Sequence, residues 1–154
     1  MGAELQAVQR DQRFLLVRAG GVCYGIAAEQ VRHLVRGLTC HPLPGSNPRL
    51  LGLAQFGGEP LAVLDLHALA EGGPALSGQW VTVILGRGDR DSWSAIGLAV
   101  DEALRVEVLD RQPSGGRGRR LVEGVVELGD CAVKVLDTSL LLADGRQGGG
   151  GDDD

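Results

Sequence analysis

The chain repeats itself at a spacing of about 72 residues. Three pairs of segments recur in order and without gaps: Gly25-Ile26-Ala27 with Gly97-Leu98-Ala99, Gly52 with Gly124, and Val63-Leu64-Asp65 with Val135-Leu136-Asp137. Glycines and aliphatic residues that recur together indicate a repeated backbone, because glycine is needed where φ is positive or where chain segments approach closely. Chance identity in a Gly-rich chain does not account for several blocks at one spacing. The sequence therefore predicts a duplicated structural unit.

The composition supports a compact domain with an aliphatic core. Of the 154 residues 44% are hydrophobic, yet only 3% are aromatic. A net charge of −5 argues against nucleic-acid binding through phosphate neutralisation. Cys23, Cys40 and Cys131 are odd in number and widely spaced, which is typical of a reducing compartment. Because Met1–Asp11 lacks an apolar centre and no apolar run could span a bilayer, we expect a cytoplasmic protein without membrane insertion.

Short apolar runs separated by glycine and proline predict an all-β fold. We expect strands at Phe14–Val17, Cys23–Ile26, Leu50–Ala54, Leu61–Leu66, Trp80–Leu85, Ala95–Val100, Leu104–Val108, Val122–Leu128 and Ala132–Leu136. Strands this short, recurring about every ten residues, are typical of β-barrels. The exceptions are Ala28–Leu34, whose apolar spacing of three allows one or two helical turns, and Asp65–Ala70, where Asp65 is placed to cap a short helix.

The repeat also predicts how the chain is divided. The expected segments are a flexible N-terminal stretch at 1–12, a domain at 13–143 made of a first barrel at about 13–75 and a second at about 79–143, and a flexible Gly/Asp tail at 144–154. Pro113–Arg120, rich in glycine and arginine, predicts a mobile loop within the second half.

The sequence contains no pattern typical of catalysis. His33, His41 and His67 have no metal-ligand spacing, and neither a dinucleotide fingerprint nor a nucleophile elbow is present. Asp65 and Asp137 each end a hydrophobic strand, where an aspartate caps backbone amides more often than it catalyses a reaction. We therefore expect neither an enzyme nor a bound cofactor or metal.

Taken in chain order, the apolar segments form a pattern that is specific although each segment is weak alone. They are Phe14-Leu15-Leu16-Val17, Tyr24-Gly25-Ile26 with Val31 and Leu34, Pro42-Leu43-Pro44-Gly45-Ser46-Asn47-Pro48, Leu51-Gly52-Leu53, Val63-Leu64-Asp65-Leu66, Ile96-Gly97-Leu98-Ala99-Val100-Asp101-Glu102, Val122-Glu123-Gly124-Val125 and Val133–Asp137. Together they resemble the CheW-like adaptor domain of bacterial chemotaxis. The resemblance extends over residues 13–143 with the expected spacing throughout.

The resemblance implies both a fold and a function. The fold would be two five-stranded SH3-like β-barrels with short helices, packed around a shared hydrophobic core. The function would be that of a non-enzymatic, cofactor-free adaptor in cytoplasmic receptor arrays. Such an adaptor couples the cytoplasmic tips of chemoreceptors to the regulatory domain of a CheA-type histidine kinase. In this interpretation Gly25, Asp65, Gly124 and Asp137 are structural positions.

The resemblance also implies which residues contact partners. The positions that correspond to the family's binding residues are Val31, His33, Leu34, Gly52, Gly57, Val81 and Gly97. Five keep the expected residue type, whereas His33 stands in place of a glutamate and Gly57 in place of an arginine. An exposed Glu–Arg pair contributes little to folding, so its loss changes partner choice rather than stability.

Three functional interpretations remain open at this point. The chain is an ordinary adaptor whose partners have co-varied, or a divergent one that binds only receptor or only kinase and tunes array assembly. The third is a small-ligand-binding β-barrel, which would need a closed pocket between the halves with converging polar groups. An adaptor would instead present a shallow, exposed apolar groove.

Overall fold

The computed structural model describes residues 11–43, 49–72, 79–87, 94–110, 120–129 and 131–142. Its strands are β1 (Asp11–Ala19), β2 (Val22–Ala27), β3 (Val31–Arg36), β4 (Leu50–Phe56), β5 (Glu59–Asp65), β6 (Val81–Arg87), β7 (Ser94–Val100), β8 (Glu102–Asp110), β9 (Val122–Leu128) and β10 (Cys131–Leu136). A 3-10 turn at Ala28–Gln30 precedes β3, helix α1 (Leu66–Glu71) follows β5, and residues 139–142 form a helical turn after β10.

Some of the sequence predictions fall on residues that the structure does not describe. The predicted tail at 144–154, residues 113–119 of the predicted mobile loop and residues 1–10 lie outside the described ranges. β1 begins at Asp11, inside the N-terminal stretch expected to be flexible. Within the part of the chain that is described, no helix is long and apolar enough to cross a membrane.

The ten strands form two five-stranded sheets. Sheet 1 has the order β8-β1-β2-β10-β9, and sheet 2 has the order β3-β6-β7-β5-β4. Each sheet contains one parallel pair, β2 with β10 and β5 with β7, among antiparallel neighbours. The all-β class with two five-stranded units and short helices is therefore confirmed.

The internal repeat is visible strand by strand. Each of β1 to β5 has a counterpart five strands later, among β6 to β10. If every strand of sheet 1 is replaced by its counterpart in the other half, the strand order of sheet 2 results. The register agrees as well, since Gly52 pairs with Val63 as Gly124 pairs with Val135. A register shift precedes each of these two glycines, so the irregularity of the strand has been duplicated with the strand itself.

The two sheets do not divide the chain at the boundary expected between 13–75 and 79–143. Sheet 1 combines β1 and β2 with β8, β9 and β10, whereas sheet 2 combines β3, β4 and β5 with β6 and β7. Strands that follow one another usually pair, which is why the repeat predicts two consecutive barrels. Here the chain crosses to the other sheet after β2 and again after β7, so each half completes the sheet of the other.

Two hairpins, β1–β2 and β6–β7, are exchanged in the sense that each lies between strands of the other half. Apolar contacts hold both hairpins on both of their faces. The central core packs residues of sheet 1, including Leu15, Val17, Tyr24 and Ile26, with Val83, Leu85, Ile96, Leu98 and Val100 of sheet 2. The opposite face of each sheet encloses its own cluster: Phe14, Leu16, Ala27, Leu109, Val133 and Val135 in sheet 1, and Ala54, Leu61, Val63, Ile84 and Ala99 in sheet 2. Alternate residues of one strand therefore serve two different cores.

Close packing explains why two of the repeated glycines lack side chains. A Cβ at Gly97 would lie 2.9 Å from Thr82 Cγ2, and one at Gly25 would lie 3.3 Å from Val133 Cγ1. Neither glycine has a positive φ. Both therefore allow side chains of the enclosed cluster to approach the sheet, rather than providing a turn.

The second pair of repeated glycines is not equivalent in its surroundings. Gly52 has a φ of 148°, and a Cβ there would lie 2.4 Å from the His41 carbonyl oxygen. No described atom lies within 4 Å of the same position at Gly124, whose φ is not positive. Only Gly52 is required by its backbone and its neighbour.

This difference predicts unequal costs for the same substitution. Gly52→Ala should lower the free energy of unfolding by at least about 2 kcal/mol, because it adds backbone strain and a clash with a carbonyl. Gly124→Ala, the matched control, should change it by no more than about 0.5 kcal/mol. Urea unfolding of both variants measures the difference, and equal losses would contradict this account of Gly52.

Asp65 connects β5 to α1. Its side chain is fully buried, and its Oδ1 accepts a hydrogen bond of 3.1 Å from the Ala68 amide. Its own amide donates to the Arg49 carbonyl at 2.8 Å. Asp137 repeats the second bond by donating to the Leu121 carbonyl at 2.7 Å, and its carboxylate accepts from the Ser139 hydroxyl. Both aspartates thus hold the strand-to-helix junction of their half.

A polar cluster joins α1 to sheet 1. The buried Tyr24 hydroxyl donates to Glu71 Oε2 at 3.2 Å, and Lys134 Nζ donates to the same oxygen at 2.6 Å. The hydrogen bond from Lys134 lowers the pKa of Glu71 below its ordinary value. Burial, together with the neighbouring Glu71 carboxylate, raises the pKa of Tyr24. The cluster is therefore arranged for an ionised Glu71 and a neutral Tyr24.

The cluster predicts a specific acid sensitivity. Since the pKa of Glu71 is lower in the folded chain, its stabilisation is complete above the ordinary value of 4.5 and is lost as the pH falls below it. Glu71→Gln should flatten the stability profile in this range by up to about 1 kcal/mol, a small effect because the pair is partly exposed. Lys134→Met should flatten it similarly. Chemical denaturation between pH 3 and pH 7, roughly the window in which an ordinary glutamate titrates, measures the effect. Parallel profiles for the native chain and Glu71→Gln would contradict it.

Candidate functional site

Val31 and Leu34 lie on strand β3, not on a helix. The helical turn expected from their spacing ends at Gln30. β3 pairs with β6, and the register shifts between Val31 and His33, so that Val31 faces Leu85 and Leu34 faces Val83. Because the bulge adds one residue, side chains three positions apart point to the same side of the sheet. A bulged strand therefore produced the spacing that predicts helical turns.

The side of β3 that carries Val31 and Leu34 faces the central core at one end and solvent at the other. Val31 is partly buried against that core, and Leu34 is 49% exposed. Val81, at the start of β6, also packs partly against the core and lies two residues from the partner of Leu34. We refer to Val31, Leu34 and Val81 as the β3 edge surface. It is an apolar, partly solvent-exposed strip along an edge strand of sheet 2.

His33 points to the other side of β3. Its ring lies 4.9 Å from the ring of Phe56, centroid to centroid, at an interplanar angle of 57°. Phe56 ends β4, which is the opposite edge of the same sheet. The contact therefore shows that sheet 2 curls until its edges approach each other, as in a barrel.

Gly57 follows Phe56 in an exposed turn. Gly57 and Gly58 have φ values of 63° and 83°, a conformation that side chains other than glycine rarely adopt. The two departures from the family pattern, His33 and Gly57, are thus brought together through Phe56. His33 stands where the family pattern has a glutamate. The ring that it contacts belongs to the residue before Gly57, which stands where the pattern has an arginine.

The two remaining predicted binding residues are buried. Gly52 lies beneath the backbone of His41, and Gly97 lies beneath Thr82 in the centre of sheet 2. The structure does not bring either glycine to the β3 edge surface. Their packing, described above, accounts for the absence of a side chain at both positions.

The repeat places a counterpart of this region on β8, which the sequence interpretation missed. Val106 corresponds to Leu34, is 54% exposed and pairs with Leu15 of β1. Arg105 corresponds to His33 and donates to Glu107 at 2.5 Å, a hydrogen bond that raises the pKa of Arg105. The spacing of the repeat could have identified Val106, since it assigns an edge position to each half.

An open cleft of about 270 Å³ adjoins the β3 edge surface. It is lined by Arg36, Gly37, Gln79, Trp80, Val81, Asp101 and Glu102. Its acidic side chains already have partners, because Asp101 accepts from the Gly20 amide at 2.9 Å and Glu102 pairs with Arg18. The cleft is not the closed pocket that a small-ligand carrier would need.

The described residues offer little for catalysis. Burial raises the pKa of the Cys23 and Cys40 thiols, which disfavours the reactive thiolate form. Within the described ranges, no three His, Cys, Asp or Glu side chains are grouped so that they could hold a metal ion.

Comparison with known proteins agrees with the fold and the motifs. The family model of the CheW-like domain matches residues 13–146. The chain is 30% identical over 145 residues to Protein FrzA of Myxococcus xanthus, covering 89% of each chain. Its fold is similar to the crystal structure of the scaffolding protein TtCheW from Thermoanaerobacter tengcongensis, with a TM-score of 0.63 and 17% identity over 82% of this chain and 89% of that one. Since the family match covers most of the chain, the protein belongs to the CheW-like domain family of chemotaxis adaptors.

Proposed function

We propose that this protein couples the cytoplasmic tips of chemoreceptors to the regulatory domain of a CheA-type histidine kinase within receptor arrays. Membership in the CheW-like family supports a coupling role, and the similarity to a scaffolding protein is consistent with it. The observation that carries the proposal is the β3 edge surface, where Leu34 is 49% exposed beside a strip of core residues. An exposed leucine that continues a core is a suitable anchor for a partner.

The small size of the β3 edge surface limits the binding free energy that it can contribute. Burying the exposed part of one leucine contributes about 1 kcal/mol at roughly 25 cal/mol per Å². A stable contact therefore needs neighbouring residues that exclude water and add complementary interactions. Val31 and Val81 extend the apolar strip, and Arg36 supplies charge at its margin.

The region around His33 and Phe56 bears on partner choice. The ring contact between them closes the end of sheet 2 without the charged pair of the family pattern. A partner that recognises a glutamate and an arginine here would lose two charge-assisted contacts, which changes association rate and specificity more than folding. This favours an adaptor that keeps only one of the two usual contacts, unless its partners have changed at the matching positions.

The β3 edge surface predicts a clean separation of binding from stability. Leu34→Asp should abolish partner capture and shift the melting temperature by less than about 3 °C, because half of the side chain is already in water. Val106→Asp, the counterpart on β8, is the matched control and should retain capture. Pull-down with purified receptor and kinase, together with thermal unfolding, measures both effects.

Two outcomes of this experiment would change the interpretation, and a third variant extends it. Loss of capture by both variants would show that the contact is not confined to β3. A large drop in the melting temperature of Leu34→Asp would mean that Leu34 acts as a core residue. Val31→Asp should reduce stability as well as capture, since Val31 packs against the central core.

The choice between a full and a partial adaptor is tested by reconstitution. The purified protein is sedimented with receptor arrays in the presence and in the absence of its cognate kinase, and each pairwise contact is measured separately. A partial adaptor should sediment with one partner alone. If both pairwise contacts are intact and assembly requires all components, the partial version is wrong. If neither partner binds, the coupling function itself is wrong.

A further inference from the structure

The edge strands β4 and β9 are counterparts, but among the described residues only β4 carries a short added segment. Leu53 of β4 exchanges two backbone hydrogen bonds with His41, its amide donating at 3.0 Å and its carbonyl accepting at 2.8 Å. The segment at His41 thus lies on the edge of sheet 2 as an antiparallel extension. It covers backbone groups that an edge strand otherwise presents to solvent.

The counterpart of Leu53 is Val125 on β9. Val125 pairs with Lys134 as Leu53 pairs with Ala62, so its amide and carbonyl also point away from the sheet. Val125 is 55% exposed. The repeat would place a counterpart of the His41 carbonyl beside Gly124, but no described atom lies within 4 Å of the Cβ position there. Among the described residues, this edge has the geometry of β4 without its added segment.

The sequences of the two halves also differ at the position of His41. In the sequence, the position 72 residues after His41 is Pro113, which lies outside the described ranges. Proline has no amide hydrogen, so it cannot donate the bond that His41 donates to Leu53. The donor that His41 provides in the first half therefore has no equivalent at the same sequence position of the second half.

We propose that the β9 edge at Val125 binds an extended peptide segment of a partner protein by adding it as an antiparallel strand. The two outward backbone groups of Val125 provide the pairing, and its exposed side chain accepts an apolar residue directly opposite. Glu127 is exposed two positions after Val125 on β9. Because the added strand is antiparallel, Glu127 lies opposite the peptide residue two positions before the apolar one, where it favours a basic side chain. The net charge of −5 favours a basic peptide over a second copy of this chain. The proposal does not depend on the coupling function.

The test uses the synthetic peptide Thr-Arg-Thr-Val-Thr-Thr, labelled with fluorescein, and the full-length protein. Fluorescence anisotropy gives the affinity, and amide NMR locates the contact. Binding should shift the resonances of β9 and slow the hydrogen exchange of the Val125 amide. The same peptide with an N-methylated valine keeps every side chain but cannot donate to the Val125 carbonyl, so it should not bind.

Two protein variants complete the experiment. Val125→Pro removes an amide that points away from β10, so the ladder to β10 is kept while the peptide loses a donor. This variant should lose binding. Glu127→Lys should weaken binding of this peptide about tenfold. The same variant should strengthen binding of a second peptide in which glutamate replaces the arginine. Because Glu127 is exposed, this variant keeps the test decisive even if Val125→Pro does not fold.

Several results would overturn the proposal. They are equal binding of the N-methylated peptide, peptide affinity that does not respond to Glu127→Lys, and resonance shifts confined to other strands. Slow exchange of the Val125 amide in the free protein would show that the edge is already covered. Concentration-dependent dimerisation that Val125→Pro abolishes would identify a second copy as the occupant instead.

Discussion

Burial of two hairpins on both of their faces is the constraint on which the rest of this structure depends. The β1–β2 hairpin lies between the central core and the interior of sheet 1, and β6–β7 has the same place in sheet 2. Each hairpin pairs in parallel with a strand of the other half. Removing either hairpin would open one sheet and the shared core together. We infer that neither half could form its sheet alone, because its own strands do not supply the missing hairpin.

The proposed binding region lies where the two halves differ rather than where they agree. Gly25 and Gly97 meet corresponding side chains and serve the same packing. At the edges the halves diverge, since His33 contacts Phe56 on one side while Arg105 pairs with Glu107 on the other. A duplicated scaffold can change its edge residues at small cost in stability, because those residues are only partly buried.

Local patterns predicted much of the fold and part of the candidate site. The strands at Val122–Leu128 and around Ala95–Val100, and the helix after Asp65, follow from periodicity and capping that involve near neighbours. The bulge in β3 was not predictable, since it depends on the register with β6. The resemblance alone assigned Gly52 and Gly97 to binding, and it could not show that His41 and Thr82 pack against these two positions.

By itself the sequence determined the duplication, the all-β class and the membership in the CheW-like family, because spacing, alternation and glycine positions are properties of the chain. Only the tertiary structure decided that the hairpins are exchanged and that Leu34 and Val106 are exposed counterparts. It also decided that, within the described ranges, His41 covers the edge at Leu53 and no segment does so at Val125. Those outcomes depend on which surfaces compete for burial across the whole domain. Such competition is settled by contacts between residues far apart in the chain, which no local pattern encodes.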